Sequence, residues 1–255
     1  MAASKNGQAA ALQLLTELRR AAWNRPELQT LQARLDGEDA GLDAAADYAV
    51  ALGGLAGEKL RTALEPEDDG PAGEEAGQIV QTALRWLFEM VSGFTATAVR
   101  NQNRRAGLGL KAVRPHFAAD RARNLGDKLL SYEHWTEAAW LLDEPVINFA
   151  QNVVDDFVRV NAAAYAAAGL YPLVQRISDS ETCAFCTGLA GVYAWPAPAE
   201  VFRRHERCRC KVIVLPEKSR RPSRAARILY AAAERKERET RIARVLEAEE
   251  RIKRG

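Results

Sequence analysis

The stretch CAFCTGLAGVYAWPAPAEVFRRHERCRC, Cys183 to Cys210, holds all four cysteines of the 255-residue chain and one of its three histidines. The donors stand as Cys-x2-Cys (Cys183, Cys186), then 18 residues, then His-x2-Cys-x-Cys (His205, Cys208, Cys210). A Cys-x2-Cys turn places two sulfurs on one side of a tight loop, close enough to share an ion. His205 and Cys208 are three apart, so a turn converges them. Cys208 and Cys210 are two apart, so on a strand they point to one face.

Tetrahedral zinc takes four nitrogen and sulfur donors. The expected set is Cys183, Cys186 and His205, completed by Cys208 or Cys210, with the remaining thiol spare or supporting. The spacing favours this structural zinc over three alternatives. A redox Cys-x2-Cys pair opens a helix after a strand in a βαβ unit, and no such unit is legible around Cys183. Disulfides belong to oxidising compartments. The N-terminal MAASKNGQAAALQLLTELRR has no uninterrupted apolar core of a signal peptide, so a reducing cytoplasm is expected. A catalytic zinc needs an open coordination position and a carboxylate base, and a nucleophilic cysteine needs a partnering base. Glu206 adjoins the donors but need not share their face.

Outward from the cluster the chain reads as helix. Hydrophobic residues make up 47% of it and aromatics only 7%, and abundant alanine favours helix over sheet. Helical segments are expected over Gln8–Leu35 with a break at Asn24-Arg25-Pro26, over Glu38–Leu64, over Glu74–Arg105, over 117–131 and 133–142, and over Pro145–Ala168. Leu42, Ala45, Ala46, Ala49, Leu52 and Leu55 form one 3.6-residue stripe, which Gly53, Gly54 and Gly57 weaken. Asp143 stands where an N-cap belongs. At Leu170 the character changes, and LYPLVQRIS, AGVYAW and CKVIVL read as strands. From Glu217 the chain again reads as helix, charged and exposed.

The expected fold is therefore mainly α, with a small zinc-stapled α+β module and a charged C-terminal helix. Its divisions are N-terminal helices (1–64), an acidic linker (65–75), a helical body (76–169), the zinc module (170–216) and the charged tail (217–255). A module this small gains most of its stability from its ion, apparent values being about 10–16 kcal/mol.

Net charge is only +2, so the whole chain is no polybasic nucleic-acid binder. Residues 216–255 carry 13 Lys/Arg against 7 Asp/Glu, and residues 100–128 carry eight basic side chains against two acidic. Both are solvated faces first and phosphate contacts second. His116 and His134 read as surface or helix-end residues. No window is apolar enough for a membrane span, and no P-loop, G-x-S-x-G, H-E-x-x-H or G-x-G-x-x-G is present.

The segment RISDSETCAFCTGLAGVYAWP followed by RRHERCRCKVIVLP resembles the C-terminal module of Mu F-like phage minor head proteins. Arg176, Cys183, Cys186, Gly191, Tyr193, His205, Cys208, Arg209 and Cys210 match its outline. Glu206 stands where that family often has Pro or Asp, a departure that touches no donor. The resemblance covers 172–216. It implies a minor capsid protein of a tailed phage of a high-GC host, acting in head morphogenesis. It further implies association with portal, capsid and scaffold proteins, contact with packaged DNA, and location at the capsid interior and portal vertex after assembly in the host cytoplasm. Some relatives are labelled capsid maturation proteases, which makes that activity the second reading, although no catalytic residues are legible. A sequence-independent DNA-binding zinc protein is the third.

Overall fold

Alanine and glycine decide how closely the helices of this protein approach one another. The computed structural model describes residues 5–179, 183–215 and 232. Helix α1 (Lys5–Asn24) turns at Arg25 into α2 (Pro26–Asp36), with Pro26 in the first turn, where its missing N–H costs nothing. Helix α3 (Leu42–Leu64) follows, then α4 (Ala76–Arg105), α5 (Ala119–Leu130), the single turn α6 (Trp135–Ala138) with a 3-10 turn over Ala139–Leu142, and α7 (Glu144–Ala167). The helical segments expected before residue 170 are present, but 133–142 is two short turns rather than one helix.

Helix α3 is the central element, packed against both α4 and α7. Its buried side includes Ala44, Ala45, Ala49, Leu52, Ala56 and Leu60, all at 2% exposure or less. Small side chains here let backbone meet backbone. A Cβ on Gly53 would lie 2.9 Å from Ile147 Cα, and one on Gly57 would strike the Leu142 carbonyl. The glycines that weaken α3 as an isolated helix are thus the positions where α7 and the turn before it touch α3.

Asp143 occupies the N-cap position of α7 but makes no capping bond. Its carboxylate instead pairs with Arg61 of α3. Residues 65–75 run over the surface between helices that share one continuous core. Asp69 in this stretch accepts from the Thr136 N–H at 2.9 Å and its hydroxyl at 3.1 Å. The acidic segment therefore joins parts of one packed body. Buried polar bonds pin the next connection: Tyr165 donates to Asn103 at 2.7 Å, and Asn161 exchanges two bonds with the Val113 backbone. Burial pushes the Tyr165 hydroxyl up to about 12.

Three strands follow as expected, β1 (Leu173–Ile177), β2 (Gly191–Ala194) and β3 (Lys211–Leu215). They form an antiparallel sheet in the order β2-β1-β3, with Arg176 opposite Gly191 and Val212. Val174, Val212 and Val214 on its inner face join the helical core. Gln102 of α4 donates to the Val214 carbonyl at 2.7 Å. Between β1 and β2 lies a short helix absent from the sequence reading, α8 (Ala184–Leu189). The charged tail expected over 217–255 lies outside the described residues, apart from residue 232. Among the described residues, no helix is long and apolar enough to cross a membrane.

Gly57→Ala should destabilise the protein by at least about 2 kcal/mol, because the clash is with backbone. Gly93→Ala, with open space around its Cβ position, should be neutral or stabilising by up to about 1 kcal/mol. Chemical denaturation of the two variants checks the contrast.

Candidate metal centre

Each donor is carried by an element whose local geometry aims it inward. Cys183 is the N-cap of α8, and its sulfur accepts from the Cys186 N–H at 3.4 Å. One turn of helix thus holds the first two sulfurs together. His205 and Cys208 converge through a turn closed by the Cys208 N–H to the His205 carbonyl at 3.2 Å. Arg207 makes that turn in the left-handed region, at φ 58°. Cys210 immediately precedes β3.

The five candidates come together as two overlapping triads. Cys183, Cys186 and His205 form one, and Cys186, Cys208 and Cys210 the other, with donor atoms in each within 4.8 Å of one another. Cys186 belongs to both. Its sulfur lies 4.0 Å from that of Cys208 and 2.9 Å from His205 Nε2, and Cys183 lies 3.3 Å from the same nitrogen. Ligands on one tetrahedral zinc stand about 3.5–3.8 Å apart, given its bond lengths. The set fits an ion with modest adjustment, the histidine moving out from hydrogen-bond to coordination distance. His205 Nδ1 lies 2.6 Å from the Glu206 carbonyl, to which it donates. That tautomer leaves the Nε2 lone pair facing the sulfurs, the usual way an outer hydrogen bond prepares a metal-binding imidazole.

The thiols differ in their readiness to ionise. The Cys186 N–H, above all, holds Cys183 below its ordinary value. Burial pushes Cys186 far up, reinforced by hydrogen bonds with Cys210 and Cys183. Burial also pushes Cys210 up, but the Asp179 N–H, the Cys186 thiol and the Arg176 charge outweigh it and leave Cys210 low. An ion entering this set displaces the proton of the central thiol, so its uptake weakens as pH falls.

Two guanidinium groups face the sulfurs. Arg176 of β1, 1% exposed, donates to the Val201 and Arg203 carbonyls at 2.6 and 2.8 Å and reaches Cys208 at 3.5 Å. Arg204 donates to the Cys210 carbonyl at 2.9 Å, with the Cys208 sulfur at 4.0 Å. A divalent ion on three or more thiolates carries net negative charge, and these two cations offset it. Three ion pairs then fasten the region to the helices. Arg204 grips Asp155 of α7 through two 2.8 Å bonds, Arg209 grips Glu144 at 2.8 and 2.7 Å, and Lys211 meets Asp47 of α3 at 2.7 Å. The Arg204 and Asp155 side chains are 4% and 1% exposed. Breaking such a buried pair from one side costs about 3–5 kcal/mol.

The sequence reading missed Asp155, Glu144 and Asp47. The arginines crowding the donors in RRHERCRC were a visible signal, but their partners lie 49 and 65 residues earlier for Arg204 and Arg209. The reading also missed that Cys-x2-Cys opens a helix after a strand. The flanking strands are antiparallel, however, and a histidine and two further thiols crowd the pair.

The remaining candidates stay outside. His116 is exposed, and His134 lies at the α6 N-terminus, 3.2 Å from the Asp69 carbonyl. In the basic stretch 100–128, Arg104 pairs with Glu38 and Arg121 with Asp156, while Lys111 and Arg114 are exposed. Comparison of the chain with protein-family models, with curated proteins and with solved structures finds no match.

Because Cys186 is common to both triads, Cys186→Ser should abolish metal binding. Cys183→Ser and Cys210→Ser should each retain an ion at reduced affinity. Metal content by mass spectrometry, before and after a chelator challenge, separates the cases. A second expectation concerns the Arg209–Glu144 clamp. Hydrogen bonding from Arg209 holds Glu144 below its ordinary 4.5. A carboxyl depressed on folding stabilises above its unfolded value and loses that contribution as pH falls through its folded value. Glu144→Gln should therefore lower stability by about 1 kcal/mol at neutral pH, the pair being partly solvent-screened. Its deficit should shrink below about pH 4.5, as denaturation across a pH series will show.

Proposed function

We propose that this protein is a Mu F-like minor capsid protein whose 183–210 donors hold a structural zinc ion. The carrying observation is the way the donor cluster is built into the body. Five convergent donors lie on α8 and the 205–210 turn, faced by the Arg176 and Arg204 guanidiniums and flanked by three ion pairs to the helices. The cavity among them measures about 170 Å³, against about 300–1,000 Å³ for typical small-molecule sites. That size suits an ion and weighs against a catalytic metal with a peptide substrate beside it. Sulfur and imidazole donors suit zinc over harder cations, which prefer oxygen.

The capsid assignment rests on the residue pattern from Arg176 to Cys210. The zinc acts as a staple, holding β1, α8 and the 205–210 turn to α7 and α3. The work of such a protein is association: the helical surfaces contact portal, capsid and scaffold proteins at the portal vertex and capsid interior. Contact of Lys111, Arg114 and the tail with packaged DNA would be electrostatic and salt-dependent.

A portal protein from the same phage should co-purify with this chain at modest salt. Association should fall with Cys186→Ser or after zinc removal, as limited proteolysis shows the 170–215 region opening. Lack of association by the zinc-loaded protein at modest salt would sink the capsid reading. Unchanged proteolysis after zinc removal would sink the structural role of the ion.

A further inference from the structure

The two most exposed large apolar side chains among the described residues are Trp23, at 80%, and Leu12, at 65%. Both lie on α1. They are eleven residues apart, about three helical turns, and so share a face. The opposite face, with Ala11, Leu14 and Leu18, is buried in the core. Leu12 and Trp23 face water on the side of α1 turned away from that seat, with the exposed Thr16 and Arg19 between them.

Trp23 stands at the lip of a groove. The corner between α1 and α2 opens onto α3 and α4 there, leaving a cavity of about 550 Å³ walled by Leu28, Tyr48, Trp86 and Met90, with Arg19 and Asp36 among its polar lining. That volume falls among ligand-sized pockets. The anchor is held in place: Gln29 of α2 donates to the Trp23 carbonyl at 2.7 Å, across the Pro26 break. Its indole has no stacking or cation–π partner among the described residues, unlike Trp140, which lies under Lys128. Arg19 has no ion pair among the described residues. Asp36 accepts one bond, from Gln32 at 2.8 Å, and pairs with no cation among the described residues.

An exposed aromatic anchor, an aromatic-lined groove, an unpaired cation and an unpaired anion therefore sit on one patch. That combination is complementary to itself. A two-fold axis would bring each anchor to the other copy's groove and each Arg19 to the other copy's Asp36, because an isologous interface uses the same patch twice. We propose that this groove is the homodimer interface of the protein, with Trp23 of each copy seated in the groove of the other and the Arg19–Asp36 pairs flanking it. Leu12 extends the contact along α1. Tryptophan and arginine are the side chains that most often dominate binding energy at such centres. The inference is independent of the metal and of the capsid assignment.

Sedimentation equilibrium of the zinc-loaded full-length protein across micromolar concentrations tests it. A dimer is expected, with Trp23→Ala raising its dissociation constant by about thirtyfold or more, the effect of losing a central anchor. Trp23 is exposed, so its loss should leave the circular dichroism unchanged. Arg19→Asp and Asp36→Arg should each weaken the dimer, and the double variant should restore it. A monomer at every concentration would overturn the proposal. So would a dimer indifferent to Trp23→Ala, or a double variant no better than the singles. Binding of a different protein in this groove by a monomeric chain would also refute it.

Discussion

Arg204 sits between a carboxylate and the sulfur cluster with almost none of its side chain in water. A buried guanidinium is tolerable only when its charge is met and its N–H groups are used. Asp155 meets the charge on the helix side, while the Cys210 carbonyl uses a donor on the other. This one side chain therefore requires α7 and the donor turn to stay together. Arg209 and Lys211, on the same short segment, repeat the connection to Glu144 and Asp47. Remove that registration and the sheet loses its seat on α3 and α7.

The same arrangement explains why the donor cluster is both rigid and incomplete by itself. Short elements position the ligands: one turn of α8, one left-handed residue at Arg207, one strand start at Lys211. None is long enough to be stable alone. Their stability comes from the helices behind them and from the ion pairs to Asp155, Glu144 and Asp47. Metal affinity and packing are then coupled, since whatever separates the sheet from α7 also separates the sulfurs.

Much of this was legible from residue order. The helices of the body announced themselves by 3.6-residue apolar stripes, and the strands by β-branched runs bounded by proline and glycine. The break before Pro26 and all five candidate donors were visible in one dimension, because they depend on local chemistry and spacing. Where the reading failed, a longer-range contact had overridden a local preference. Asp143 has the right type and place to cap α7, yet Arg61 takes its carboxylate. Gly53 and Gly57 look like flaws in α3 until Ile147 and Leu142 are seen against them.

By itself the sequence determined the composition of the candidate donor set, the mainly helical character and the three strands. These follow from side-chain chemistry and short-range periodicity. Only the tertiary structure decided that Cys186 is shared by two triads, that His205 presents Nε2, and that Asp155, Glu144 and Asp47 receive the cations beside the cysteines. Only the tertiary structure set Trp23 at the edge of a groove. Those facts depend on where distant segments meet, and burial, not neighbourhood in the chain, selects those meetings.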